Sequence, residues 1–136
     1  MKIVLLALDQ ARAARAVAGT AEHVRPEDSL WVIASAPVDG ARTLVPRHLP
    51  RPYSPDTSLL LADRLRRTAR LYVAGHAVWR ALRRDREVAR LVLGADLVVL
   101  GDEVSLRSAW NIARRTGVTC WGRIATIPYA RRLLGA

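Results

Sequence analysis

The chain has 136 residues and half of them are apolar, which is room for one domain with its own core and not for two. A formal net charge of +10 makes an anionic partner plausible, although arginine's dominance over lysine (Lys2 stands alone) follows GC-rich codon usage, in which Lys, Asn, Phe and Ile are scarce. One cysteine, Cys120, excludes a disulfide scaffold and a cysteine-based metal site, and His23, His48 and His76 lack zinc-site spacings.

Residues 3–8 (IVLLAL) are an unbroken apolar run ending at Asp9. Such runs suit a strand covered on both faces, as in a parallel sheet. The segment DQARAARAVAGTAEHV then reads as a helix capped by Asp9, with Ala13, Val17 and Ala21 on its inner face. A turn at Pro26, Glu27 and Asp28 leads to a second strand at 30–34 (LWVIA), expected parallel to the first. Residues 36–56 hold five of the seven prolines and read as an extended loop without regular structure. It is either a binding loop or a flap that packs Leu44, Val45, Leu49 and Tyr53 on the core.

Asp56, Thr57 or Ser58 is placed to cap a helix that runs to about Arg84. Leu61, Leu65, Ala69, Tyr72, His76 and Trp79 recur on it at spacings of three and four, and arginines fill much of the rest. At 1.5 Å per residue it would be about 40 Å long, which predicts a bend near Gly75 or a break near Asp85. Asp85 is placed to cap a short further helix, REVARLVLG, closed by Gly94. Residues 97–100 (LVVL) are a parallel-type strand, with Gly101, Asp102 and Glu103 at its carboxyl end. The segment VSLRSAWNIARRTG predicts an amphipathic helix with Leu106, Trp110 and Ala113 inward, Arg114 and Arg115 on its C-terminal dipole and Gly117 ending it. Residues 118–121 make a short strand, and a last helix from Pro128 docks Tyr129, Leu133 and Leu134.

Strands alternating with helices predict an α/β fold: a three-layer, Rossmann-like sandwich with a mostly parallel sheet of four or so strands, one domain over residues 1–136. In such sheets ligands bind outside the strand carboxyl ends, at the topological switch point. The candidate ligand-binding residues there are Asp9, Gln10, Ser35, Gly101, Asp102, Ser105, Arg107 and Ser108. Two helix N-termini facing the same crevice suit an anion. The plainer reading of Asp9, Asp102 and Ser105 is helix capping.

Several signatures are absent. There is no GxGxxG, no GxxxxGK[ST] and no GxSxG, which argues against a dinucleotide fingerprint, a P-loop and a nucleophile elbow. Asp9, Asp102 and Glu103 lack a DxD spacing, so no metal is expected. His76 reads as a satisfied core or interface histidine, and Cys120 as an inert core thiol. Arg64, Arg67, Arg70 and Arg83 form a candidate basic face for phosphates, with a merely solvated face as the alternative. The apolar stripe over 57–84 is a candidate homodimer surface.

The stretch ADLVVLGDEVSLRSAWNIARRTGV (95–118) resembles the strand–helix segment near the end of the N-terminal half of bacterial GT-B glycosyltransferases, and MKIVLLAL and SLWVIASAP fit early strands of that half. The resemblance implies an acceptor-side half that works with a separate donor-binding subunit. The order of strand, helix and ADLVVLG is also similar to universal stress proteins, although DEVSLRSAW stands where their Gly-rich ATP loop would be. Nucleoside deoxyribosyltransferase-like proteins carry a catalytic Glu on the helix after such a strand, and here the nearest residue is Asn111.

The expectation is a small cytoplasmic binding or accessory protein rather than a complete enzyme. It requires no cofactor. It binds either an anionic ligand, a nucleotide or nucleotide-sugar, at the strand carboxyl ends, or a partner, an acidic protein surface or a second copy, through its basic helix and Pro-rich loop. The rival expectations are the glycosyltransferase-like half and a nucleic-acid-binding protein. No apolar run is long enough to span a bilayer, so no membrane is expected.

Overall fold

The computed structural model describes residues 1–50 and 61–136. Tyr53 and the caps expected at Asp56, Thr57 and Ser58 lie outside the described residues. Five strands, β1 (Lys2–Ala7), β2 (Ser29–Ala34), β3 (Arg42–Leu44), β4 (Leu97–Leu100) and β5 (Thr119–Trp121), form one sheet in the order β3-β2-β1-β4-β5. Every neighbouring pair is parallel, from Lys2 opposite Ser29 to Val99 opposite Trp121. The helices are α1 (Ala13–Ala21), α2 (Leu61–Leu82), α3 (Arg86–Leu93), α4 (Leu106–Thr116) and α5 (Ile127–Leu133), with a 3-10 turn at Ile124–Thr126. This is a Rossmann-like α/β sandwich.

The central strands alternate between two cores because successive side chains point to opposite faces. Ile3, Leu5, Val32, Leu97 and Val99 pack with Ala13 and Ala16 of α1 and Ile127 and Ala130 of α5. Val4, Leu6, Ile33 and Val98 pack with Trp79 and Leu82 of α2, Val88 and Leu91 of α3, and Ile112 of α4. The apolar runs of β1 and β4 are unbroken because both faces are covered.

The proline-rich stretch differs from its expectation. It contains β3, an edge strand that adds Arg42, Thr43 and Leu44 beside Trp31, Val32 and Ile33. A three-residue edge strand with one apolar side chain carries no periodic signal. Leu44 and Leu49 pack on the core as a flap would, but Val45 is exposed.

α1 begins later than expected. Asp9 does not cap it: its Oδ1 accepts the Ala11 N–H at 3.1 Å, holding a turn before the helix, and the N-cap is Arg12. The buried face is Ala13, Ala16 and Thr20, while Ala21 is exposed.

α2 is one unbroken helix through Gly75, and the break falls at Asp85. The Asp85 carboxylate accepts the Glu87 and Val88 N–H groups and starts α3 as its N-cap. A Cβ at Gly75 would sit 3.3 Å from the Val104 carbonyl oxygen and 3.8 Å from the Arg107 Cβ, so this glycine lets α2 lie close on the start of α4.

α4 turns a different face inward than its apolar stripe suggested. Ser108, Ala109 and Ile112 are buried, while Leu106 and Trp110 are 59% and 57% exposed. Gly117 ends the helix with φ 70°, as expected.

α5 likewise buries Ile127, Ala130 and Arg131 and leaves Tyr129, Leu133 and Leu134 exposed. Its anchor is electrostatic: Arg131 donates to both carboxylate oxygens of buried Asp28 and to the His23 carbonyl. Among the described residues no helix is long and apolar enough to cross a membrane.

Candidate functional site

The sheet order reverses between β1 and β4, so the switch point lies where Asp9 and Asp102 leave the sheet. That point is closed by a latch. Asp102 Oδ2 accepts the Asp9 N–H at 2.8 Å, and Asp102 Oδ1 accepts the Ser105 N–H at 2.9 Å and the Ser105 hydroxyl at 2.6 Å. Asp9, Asp102 and Ser105 are all buried. Burial pushes the Asp102 carboxyl above its ordinary pKa against the pull of the Asp9 and Ser105 donors, and the Asp9 charge adds to the rise. Gly101 completes the closure. A Cβ there would fall 2.8 Å from the Leu6 carbonyl oxygen, a backbone atom that cannot yield. Four of the sequence candidates are thus brought together: the Asp102 carboxylate is spent on Asp9 and Ser105, the Asp9 carboxylate on Ala11 and Arg12, and the Gly101 N–H on Leu6.

An open site lies one strand over. A hollow of about 450 Å³ opens between the first turn of α1 and the segment after β2. Gln10, Ala13, Ala14, Ser35 and Asp39 line it, together with Pro37 and Val38. Among the described residues the N–H groups of Ala13, Ala14 and Arg15 have no hydrogen-bond partner, and the Arg12 N-cap supplies no side-chain oxygen to them. The positive end of α1 is therefore free. The Ser35 hydroxyl is buried and also without a partner among the described residues. Asp39 adds a carboxylate beyond the carboxyl end of β2. Gln10 and Ser35 were legible in the sequence; Ala13, Ala14 and Asp39 were missed. Their signal was position alone: the first helical turn after β1 and the first acid after β2.

Arg107 and Ser108 sit apart from this hollow, in the α2–α4 seam. Ser108 Oγ, Arg107 Nε and His76 Nδ1 are buried without partners among the described residues, and the Arg107 guanidinium lies 5.1 Å from the centre of the Tyr72 ring. The expectation of a satisfied His76 therefore fails. Burial, followed by the charges of Arg107, Arg80 and Arg83, pushes its pKa below the ordinary value. Cys120 is half-buried in β5, and burial pushes its thiol up to about 11.

The four arginines of the expected basic face are not gathered. Arg64, Arg67 and Arg70 lie on the first half of α2, whereas Arg83 follows its last residue, roughly 28 Å from Arg64 along the axis. Near Arg64 to Arg70 the helix is mostly exposed, including Leu61 and Leu65 at 73% and 67%. Only the second half of the apolar stripe, at Trp79 and Leu82, is covered by the sheet side of the domain.

No cluster of three or more His, Cys, Asp or Glu side chains suited to a metal occurs among the described residues. Compared with known proteins, the chain matches no family model, no curated protein and no solved structure.

Proposed function

We propose that this chain is a ligand-binding protein whose ligand is a singly phosphorylated, ribose-bearing molecule of the nucleotide class, held between α1 and β2. The observation that carries the reading is the uncapped first turn of α1 beside a hollow that Ser35, its buried hydroxyl unpartnered among the described residues, also lines. Free helix N-terminal N–H groups and the helix dipole suit a phosphate. Ser35 donates to it or to the adjoining sugar, and Asp39 accepts from sugar hydroxyls as an acid beyond the second strand does in related architectures. The turn reads DQARA, without the glycines that let a backbone close around a pyrophosphate, so one phosphate is the better fit. The latch at Asp102 supports a binding role over catalysis, because its carboxylate is already engaged by three donors.

Ala14→Glu tests this cleanly. A carboxylate in the first turn of α1 favours the helix dipole and leaves the fold intact, while it repels a phosphate at the same place. Calorimetric titration with adenosine and uridine monophosphates should give saturable binding to the parent chain and at least a tenfold loss in A14E. No binding to the parent, or equal binding to both, overturns the reading.

A second reading rests on α2. Leu61, Leu65, Tyr72 and Val73 of α2 are each about two-thirds exposed or more, and Leu106 and Trp110 of α4 are more than half exposed. An apolar patch rimmed by arginines suits a protein partner with an acidic rim. Light scattering distinguishes this from self-association across the same stripe: a strict monomer at high concentration removes the homodimer.

A further inference from the structure

A larger cleft lies away from the nucleotide-type hollow, on the opposite side of the sheet. It encloses about 780 Å³ between the end of α2, the start of α3 and the segment after β3. Two arginine pairs spaced four apart line it: Arg80 and Arg84 from α2 and its end, Arg86 and Arg90 from α3. Arg47 joins them from the third wall. None of the five makes an ion pair among the described residues. Two acids share the lining. The Asp85 carboxylate is occupied, since it accepts the Arg47, Glu87 and Val88 N–H groups. Glu87 is exposed and leaves the lining with an excess of guanidiniums.

The cleft is fastened before any ligand arrives. The Arg47 N–H to Asp85 bond of 2.9 Å ties the β3 side to the start of α3. The neighbouring His48 is held at φ 59°, in the left-handed region that a non-glycine residue seldom adopts. The apolar part of the lining is Ala77, Ala81 and Pro50, and among the described residues it holds no Phe, Tyr or Trp, so the His48 imidazole is its single small ring against five arginines. Guanidinium forks match phosphate oxygens and cannot lose their charge at neutral pH.

We infer that the α2–α3 cleft is a second binding site, for an anion carrying two or more linked phosphates, recognised by its phosphate chain and not by any base attached to it. Five arginines lining one cleft, none with an ion pair among the described residues, have a use when a compact polyanion neutralises several at once; a single phosphate satisfies too few. The volume lies in the range of small-ligand sites, which favours a free polyphosphate or a nucleoside triphosphate over a nucleic-acid strand.

The test is calorimetric titration of the whole chain with inorganic tripolyphosphate, ATP, GTP, orthophosphate and a short DNA duplex. Tripolyphosphate, ATP and GTP should bind one to one within about threefold of each other, with orthophosphate at least tenfold weaker. Arg84→Glu with Arg90→Glu should weaken tripolyphosphate at least tenfold. Both residues are exposed, and circular dichroism checks that the pair leaves the fold intact. Ala14→Glu should leave tripolyphosphate binding unchanged, which separates this site from the nucleotide-type hollow. The inference is overturned by no saturable tripolyphosphate binding, by binding that survives the double reversal, by strong preference for one base, or by binding of the duplex alone.

Discussion

Replacing Asp102 by alanine tests whether the switch point is a latch. The side chain holds three donors: Asp9 N–H, Ser105 N–H and the Ser105 hydroxyl. Its removal strands two backbone N–H groups in buried surroundings, and a buried unsatisfied group costs about 1–3 kcal/mol. The hydroxyl can turn to another acceptor, and the loss of a buried carboxylate returns part of the cost, so the net destabilisation should be about 2–4 kcal/mol. For a domain of this size that lowers Tm by roughly 8–15 °C, given the usual relation between free energy and Tm. Asp102→Asn should cost less, since its carbonyl oxygen can still accept from Ser105 while its amide faces the Asp9 N–H. Melting and urea unfolding of both variants measure this. If D102A melts within 2 °C of the parent, the latch reasoning is wrong. If D102A also abolishes a measurable turnover of a UDP-sugar at unchanged stability, Asp102 is catalytic and the glycosyltransferase-like alternative takes its place.

Other consequences are as direct. Gly101→Ala should leave little folded protein, because its Cβ would meet the Leu6 carbonyl oxygen at 2.8 Å; expression with normal melting would contradict that contact. Arg131→Met should cost about 1–3 kcal/mol, less than stranding a buried charge outright, because Asp28 keeps the Met1 ammonium at 3.0 Å and the Arg25 N–H at 2.9 Å. The same pair sets an acid limit. The Arg131 guanidinium holds the Asp28 carboxyl well below its ordinary 3.8, so the stabilisation is whole above that value and is lost as pH falls through the lower folded value. The acid unfolding of the parent should therefore be steeper than that of R131M. At pH 8 the Cys120 thiol, pushed up to about 11, should alkylate much more slowly in the folded chain than after unfolding; equal rates would place it at the surface.

The layers were legible in the sequence because both faces of β1 and β4 are covered, so IVLLAL and LVVL could not be solvated elements. The breaks at Asp85 and Gly117 were legible because cap chemistry is local. Which face each helix buries was not. In α4 and α5 most of the large apolar side chains stay outside, and the inward face is one isoleucine beside small or ion-paired residues: Ile112 with Ser108 and Ala109 where α2 comes close at Gly75, Ile127 with Arg131 above Asp28. Those choices depend on residues 33 and 103 positions away along the chain. The site followed the same rule. Asp9, Asp102 and Ser105 were placed at the right end of the sheet, but only the folded chain shows that they bond to one another. The arginine cleft was hidden because its members come from three separate segments, at 47, 80–84 and 86–90.

The anion site proposed at the start of α1 is an uncapped helix end beside a closed switch point. Amide chemical-shift mapping with adenosine monophosphate reads both at once. Saturable shifts should centre on Gln10, Ala13, Ala14, Ser35 and Asp39 and vanish in A14E. Shifts centred instead on Asp102, Ser105 and Arg107, or none at saturating ligand, would contradict it.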